Sequence, residues 1–240
     1  MIKKASIMGM PITIDIRDAK SVNSDFDEVF KFLDQVDKKY SPFKDTSEVS
    51  KFNRGEKVSR EMKNILLLCD KLKRETRGYF DPKRPDGKTD PSGLVKGWAI
   101  KKAADILRNK GFKKFFVDAG GDAEIVGRNW KWGVRNPFNV RQIVKVLRLT
   151  NCGIATSGTY ERGQHIYNPI TKQNKITDIV SLTVIGKDVY EADKFSTPAF
   201  AMGRSGIEFI ETVPGLEGYM IDNNGVATMT SGFSKYEIYR

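Results

Sequence analysis

Apolar residues recur every three or four positions through residues 24–39, at Phe26, Val29, Phe30, Leu33 and Val36. That spacing puts them on one face of a helix, with Ser24 placed to cap its start. Met62, Ile65, Leu66, Cys69 and Leu72 repeat the pattern over 59–76, behind Ser59. A third stripe, Leu94, Val95, Trp98, Ala99, Ala103, Ile106 and Leu107, runs from SGLVKGW to Gly111, a natural stop. Between the first two, YSPFKDTSEVSKFN is polar and turn-rich. GYFDPKRPDGKTDPSG reads as a long loop.

The pattern changes after residue 112. KKFFVDAG, DAEIVG, KWGVRN, QIVKVLRLT, SLTVIG and GYMIDN are short β-branched or aromatic runs that predict strands. Gly120-Gly121 separates the first two in hairpin fashion. After residue 150 only EADKFSTPAFAMG and SGIEFIETV look helical. The start, MIKKASIMGMPITIDI, reads as a first strand. Helices gathered early and mixed or antiparallel strands late predict an α+β fold. No linker divides residues 1–240, so one domain is expected.

Composition changes this picture little. Of 240 residues, 39% are hydrophobic and 30% charged, which is ordinary for a soluble protein. The net charge of +11 is spread over pairs such as Lys38-Lys39 and Lys113-Lys114, with acids between them. A solvated basic surface is expected, not a nucleic-acid stripe. No apolar run is long enough to span a bilayer, and the start lacks a cleavage site. Cys69 and Cys152 have no CxxC spacing. Two reduced thiols in a cytoplasmic protein are expected.

Four stretches carry candidate chemistry. In EADKFSTPAFAMG, Asp193 and Thr197 are four residues apart, hence on one helix face. Two hard oxygens suit Mg²⁺ or Ca²⁺. The plainer reading is a helix cap at Thr197 with Pro198 at the first helical position, and this stretch alone favours it. DPSGLVKGW opens a helix whose N–H groups, with Lys96, suit a phosphate, or is simply a helix start. VDAGGDAEIVG offers two glycines for close backbone approach to a ligand, or a tight turn. IATSGTYERGQHIYNP holds the one histidine, His165, either structural or a general base titrating near neutrality.

Together these segments resemble the FAD:protein FMN transferase (ApbE-type) family. The match runs through IMGM, KKYSPFKDTSEVSKFN, GYFDP, DPSGLVKGWAI, VDAGGD, WGVRNP, ATSGTYERG, HIYNP and EADKFSTPAFAMG, in the family's order and over nearly the whole chain. The resemblance implies that family's α+β fold, with FAD as substrate and a divalent cation, usually Mg²⁺, with Ca²⁺ or Mn²⁺ as alternatives. FMN would pass from FAD to a Thr or Ser of a partner flavoprotein through a phosphodiester, releasing AMP. FAD hydrolysis to FMN and AMP, or flavin binding without catalysis, are the alternatives.

By the same resemblance Asp193, Thr197 and a main-chain carbonyl, that of Val95, ligate the metal, which reverses the capping reading. His165 corresponds to the catalytic base. Gly120, Gly121, Asp122, Ser157 and Gly158 match the nucleotide-lining stretches, Lys96 adds a cation, and Met8 and Gly9 match a stretch near the flavin. The family's DLGGIAKG is DPSGLVKG here, its HIIDP is HIYNP, and a familiar Thr after Met-Gly is Met10. The acceptor pattern, an Asp before a Ser/Thr-Gly-Ala-Ser/Thr run, is absent from this chain, so the acceptor is expected to be a separate protein.

Overall fold

The computed structural model describes residues 1–159, 166–172 and 175–238. The strands are β1 (Ile2–Ile7), β2 (Met10–Ile16), β3 (Phe115–Ala119), β4 (Asp122–Val126), β5 (Trp130–Asn136), β6 (Asn139–Leu149), β7 (Cys152–Gly158), β8 (Ile179–Gly186), β9 (Glu217–Asp222) and β10 (Ala227–Met229). Eight of them form one sheet, in the order β1-β2-β3-β4-β7-β8-β9-β10, with every neighbouring pair antiparallel. β5 and β6 leave it as a separate hairpin. The helices are α1 (Asn23–Tyr40), α2 (Glu48–Asn53), α3 (Arg60–Glu75), α4 (Ser92–Asn109), α5 (Val189–Ala201) and α6 (Gly206–Thr212). The α+β expectation holds.

Strand alternation sorts the core into two layers. Ile12, Ile14, Val117, Ala119, Ala155, Leu182 and Val184 face the helices in one buried cluster. Ala123, Ile125, Cys152, Ile154 and Ile185 face the other way and pack on Val134, Leu147 and Leu149 of the β5–β6 hairpin. On β4 this leaves the alternate positions Asp122 and Glu124 on the helix side, both 1% exposed.

Several elements differ from the sequence reading. Ser24 does not cap α1. The helix begins after Val22, and the Asp25 carboxylate reaches back to accept the Val22 N–H at 2.9 Å. Ser59 does cap α3, accepting the Met62 N–H at 3.2 Å. α2 lies in the stretch read as turns; it buries only Val49, too little for a periodic signal. The start forms a hairpin of two strands, not one. β7 occupies the beginning of the segment read as a polar stretch. Its Gly153, Ala155 and Ser157 are small because α5 lies against them; a Cβ at Gly153 would overlap main-chain atoms of Asp188 and Val189.

Cys69 and Cys152 are buried and unbridged. Burial pushes their thiols up to about 12 and about 11. Among the described residues, no helix is long and apolar enough to cross a membrane.

Candidate functional site

Two tight turns meet at one end of the sheet. Met8 and Gly9, with φ of 57° and 69°, join β1 to β2. Gly120 and Gly121, with φ of 62° and 97°, join β3 to β4. Positive φ at both central positions defines the two-residue hairpin turn whose twist suits antiparallel strands. Gly120 N–H donates to the Pro11 carbonyl at 3.0 Å, so the turns lie side by side. β7 runs antiparallel to β4 and carries Thr156, Ser157 and Gly158 to the same end. There Thr156 N–H donates to Asp122 Oδ1 at 2.8 Å.

The helix layer closes over this end from α4 and α5. Lys96 on α4 extends its ammonium between two buried carboxylates, in contact with Asp122 Oδ2 and 3.3 Å from Asp193 Oδ1. Beyond that ammonium, neither of those two buried oxygens has a hydrogen-bond partner among the described residues. The other Asp193 oxygen, Oδ2, accepts the Gly97 N–H at 2.7 Å. Burial pushes the Asp193 carboxyl up, to about 7; the Lys96 charge opposes that shift and the Asp122 charge adds to it.

α5 is held at its start by other groups. Asp188 is its cap, accepting the Glu191 N–H at 2.9 Å. Glu124 accepts the Val189 N–H at 2.7 Å and pairs with Arg108. Burial raises the Glu124 carboxyl pKa, while Arg108 and that N–H hold it down. The capping reading of Asp193 and Thr197 is therefore overturned: both lie inside α5, with Pro198 in the helix interior. They share one face, as their spacing predicts. Thr197 Oγ1 stands 3.4 Å from Ser157 Oγ, which also contacts Ser196 Oγ at 3.0 Å.

Thus Lys96, Gly120, Gly121, Asp122, Ser157, Gly158, Asp193 and Thr197 converge. Val95 lies two residues before Gly97 on α4. Met8 and Gly9 sit at the rim, two strands from β4, or about 10 Å at the usual strand spacing. His165 lies outside the described residues. Three residues further along the sequence, Asn168 Oδ1 accepts the N–H groups of Ile170 and Thr171 at 2.9 and 3.1 Å, closing a turn.

The donor set fits a hard divalent cation. Asp193 and Asp122 each present a buried oxygen that meets only the Lys96 ammonium among the described residues, and Thr197 and Ser157 add hydroxyls. Among the described residues no cluster of three or more His, Cys, Asp or Glu is arranged to hold a metal. A cation here would thus rest on a mixed set of carboxylate, hydroxyl and main-chain oxygens. The bridging role of Asp122 and the Ser196–Ser157 contact were not read from the sequence. The alternation of Asp122 and Glu124 along a buried strand was the available signal.

The fold has parallels among solved structures. A flavin transferase ApbE structure from Vibrio cholerae superposes with a TM-score of 0.83, over 98% of both chains at 22% identity. The ApbE protein of Thermotoga maritima superposes at 0.88, over 100% of this chain and 99% of that one at 21% identity. In sequence, a Vibrio cholerae FAD:protein FMN transferase is 29% identical over 50% of this chain and 40% of its own length. The Haemophilus influenzae protein of that name is 23% identical over 87% of this chain and 82% of its own. The matched stretch spans less than half of the first of these relatives, and most of the second. The ApbE family model matches residues 8–84 and 82–220, which takes in both glycine turns, Lys96 and the Asp193–Thr197 face, and on that match this chain belongs to the ApbE family.

Proposed function

We propose that the protein is a divalent-cation-dependent FAD:protein FMN transferase, with residues 1–240 acting as one catalytic unit and Mg²⁺ as its usual ion. The observation that carries this reading is the Asp122–Lys96–Asp193 cluster. Two buried carboxylates compensated by one ammonium form a site adapted to positive charge, at the end of the sheet that carries the two glycine turns, where a Cβ on Gly9 or Gly121 would meet open space. Family membership and the names of the relatives above support the same reading.

Asp193, Thr197 and the Val95 carbonyl would hold the cation, which would neutralise the pyrophosphate of FAD and stabilise the departing AMP. Lys96 supplies a second positive charge beside the phosphates. Gly120, Gly121, Asp122, Ser157 and Gly158 line the nucleotide, with Met8 and Gly9 toward the flavin. The acceptor's Thr or Ser oxygen bonds to the flavin-side phosphorus. The bond from that phosphorus to the bridging oxygen breaks, and AMP leaves with the electron pair. His165 takes the hydroxyl proton, for which a positioned base contributes roughly 10²–10⁴-fold. The acceptor is a separate flavoprotein. Two buried, unbridged thiols favour a cytoplasmic location.

The test is mass spectrometry of a candidate flavoprotein incubated with this protein, FAD and Mg²⁺. A mass increase of one FMN on a Thr or Ser is expected. AMP release without an adduct would make the protein an FAD hydrolase, and neither product would leave a flavin binder.

A further inference from the structure

At the opposite end of β4 from Asp122, about 13 Å away at the usual rise per residue, a cleft of about 560 Å³ opens between the end of α4 and the turns that join β4 to β5 and β6 to β7. Its lining includes Arg108, Lys113, Lys114 and Arg128, with Phe112 and Asn151. Its volume lies in the range of small-molecule sites.

The charges are unevenly compensated. Arg108 is committed to Asp105 and Glu124, and Lys110, on the same helix end, to Asp25 and Glu28. Those two cations also suit the carbonyl-rich terminus of α4. Lys113, Lys114 and Arg128 lie beyond the helix, are exposed, and form no ion pair among the described residues. Asp18 is the neighbouring acid, and its carboxylate is engaged by the main-chain N–H groups of Lys113 and Lys114 at 3.2 and 2.8 Å. Arg17 is paired with Asp15 at 2.7 Å. The turns that frame the cleft are locked to each other: Gly127 N–H donates to Asn151 Oδ1 at 2.7 Å, and Asn129 N–H to Thr150 Oγ1 at 3.2 Å.

We propose that this cleft is a second ligand site, for a small phosphate-bearing anion. Three cations of one sign around a concave surface raise the local concentration of anions. Arg128 offers a planar fork and the two lysines offer point charges, the combination that phosphate oxygens accept. Phe112 gives an organic phosphate an apolar wall. The site is remote from the Asp122–Lys96–Asp193 cluster, so it stands whether or not the transferase reading does.

The probe is inorganic pyrophosphate, titrated calorimetrically in EDTA and 150 mM NaCl so that no cation recruits it to the other end of the sheet. Saturable binding to the parent is expected. Lys113→Ala/Lys114→Ala/Arg128→Ala should weaken it at least tenfold, and Asp193→Asn should leave it unchanged. Arg128→Ala alone, expected to weaken it by at least threefold, keeps the test decisive should the triple variant fold poorly. No saturable binding to the parent, parental affinity in the substituted cleft, or loss in Asp193→Asn would each overturn the proposal. So would binding of an oligonucleotide through these residues in the absence of any pyrophosphate binding.

Discussion

Gly97 and Asp193 touch across the α4–α5 interface. The Gly97 N–H donates to the aspartate at 2.7 Å, and a Cβ added to Gly97 would stand 2.7 Å from the Asp193 Cβ. Both neighbours at that point are fixed parts of buried helices, so they cannot give way cheaply. Gly97→Ala should therefore push α5 outward and destabilise the protein by about 1–3 kcal/mol. The shift also moves Asp193 away from Thr197's partners on β7. Denaturant unfolding with and without Mg²⁺ measures both effects. A variant with parental stability and parental stabilisation by Mg²⁺ would mean that the two helices separate freely.

Asp193→Asn tests the cost of the buried charge. Burial raises the folded carboxyl from its ordinary value of 3.8 to about 7. A raised folded value means that the native state holds the proton longer than the unfolded chain. Its contribution to stability is thus complete below about pH 4 and is lost as pH rises through about 7. In EDTA at pH 8, Asp193→Asn should be more stable than the parent by at least about 1 kcal/mol, or roughly 2–4 °C in Tm. Its amide oxygen can still accept the Gly97 N–H. Stabilisation by Mg²⁺ and turnover should both disappear. Equal Tm values for parent and variant from pH 4 to 8, in EDTA, would show that the carboxylate is fully compensated.

Lys96→Met removes the cation between Asp122 and Asp193. Two buried carboxylates then face each other, and breaking a buried pair in this way costs about 3–5 kcal/mol. The loss should be largest without divalent ions and partly restored by Mg²⁺ or Ca²⁺. Thermal unfolding should show a larger Mg²⁺-induced rise in Tm for Lys96→Met than for the parent. A smaller rise would mean that the ammonium assists the cation instead of standing in for it.

His165→Ala should leave FAD affinity nearly unchanged and slow FMN transfer roughly 10²-fold or more. The parental rate should climb with pH as the imidazole loses its proton, then level off. Asn168→Asp keeps an oxygen for the Ile170 and Thr171 N–H groups while adding charge. A carboxylate close to the imidazole raises its pKa, so the climb should move to higher pH. Transfer rates against pH at saturating Mg²⁺ decide; a parental profile in His165→Ala would remove the base assignment.

Local patterns made much of the molecule legible. The stripes of α1, α3 and α4 repeat at helical spacing, and the Gly120-Gly121 pair marks its own turn. The four-residue spacing placed Asp193 and Thr197 on one face, but Pro198 invited the wrong helix start. The true cap, Asp188, lies outside the stretch that drew attention. β7 was hidden because packing against α5 demands Gly153, Ala155 and Ser157, which carry no β-branched signal. The Lys96 bridge joins α4, β4 and α5, and no periodicity within one element could announce it.

The seating of α5 against β7 at Gly153 has a kinetic consequence. The oxygens proposed for the cation come from α4 and α5, two helices far apart in the chain, and Asp193 meets its Gly97 partner across 96 residues of sequence. A nascent or partly folded chain offers no such donor set, so an ion held there would bind only the finished structure. Interactions absent from the folding transition state act on the reverse rate. Stopped-flow measurements should find that Mg²⁺ slows unfolding and leaves refolding nearly unchanged. The ion would then be a latch on a molecule already built, holding α5 down for the lifetime of the native state.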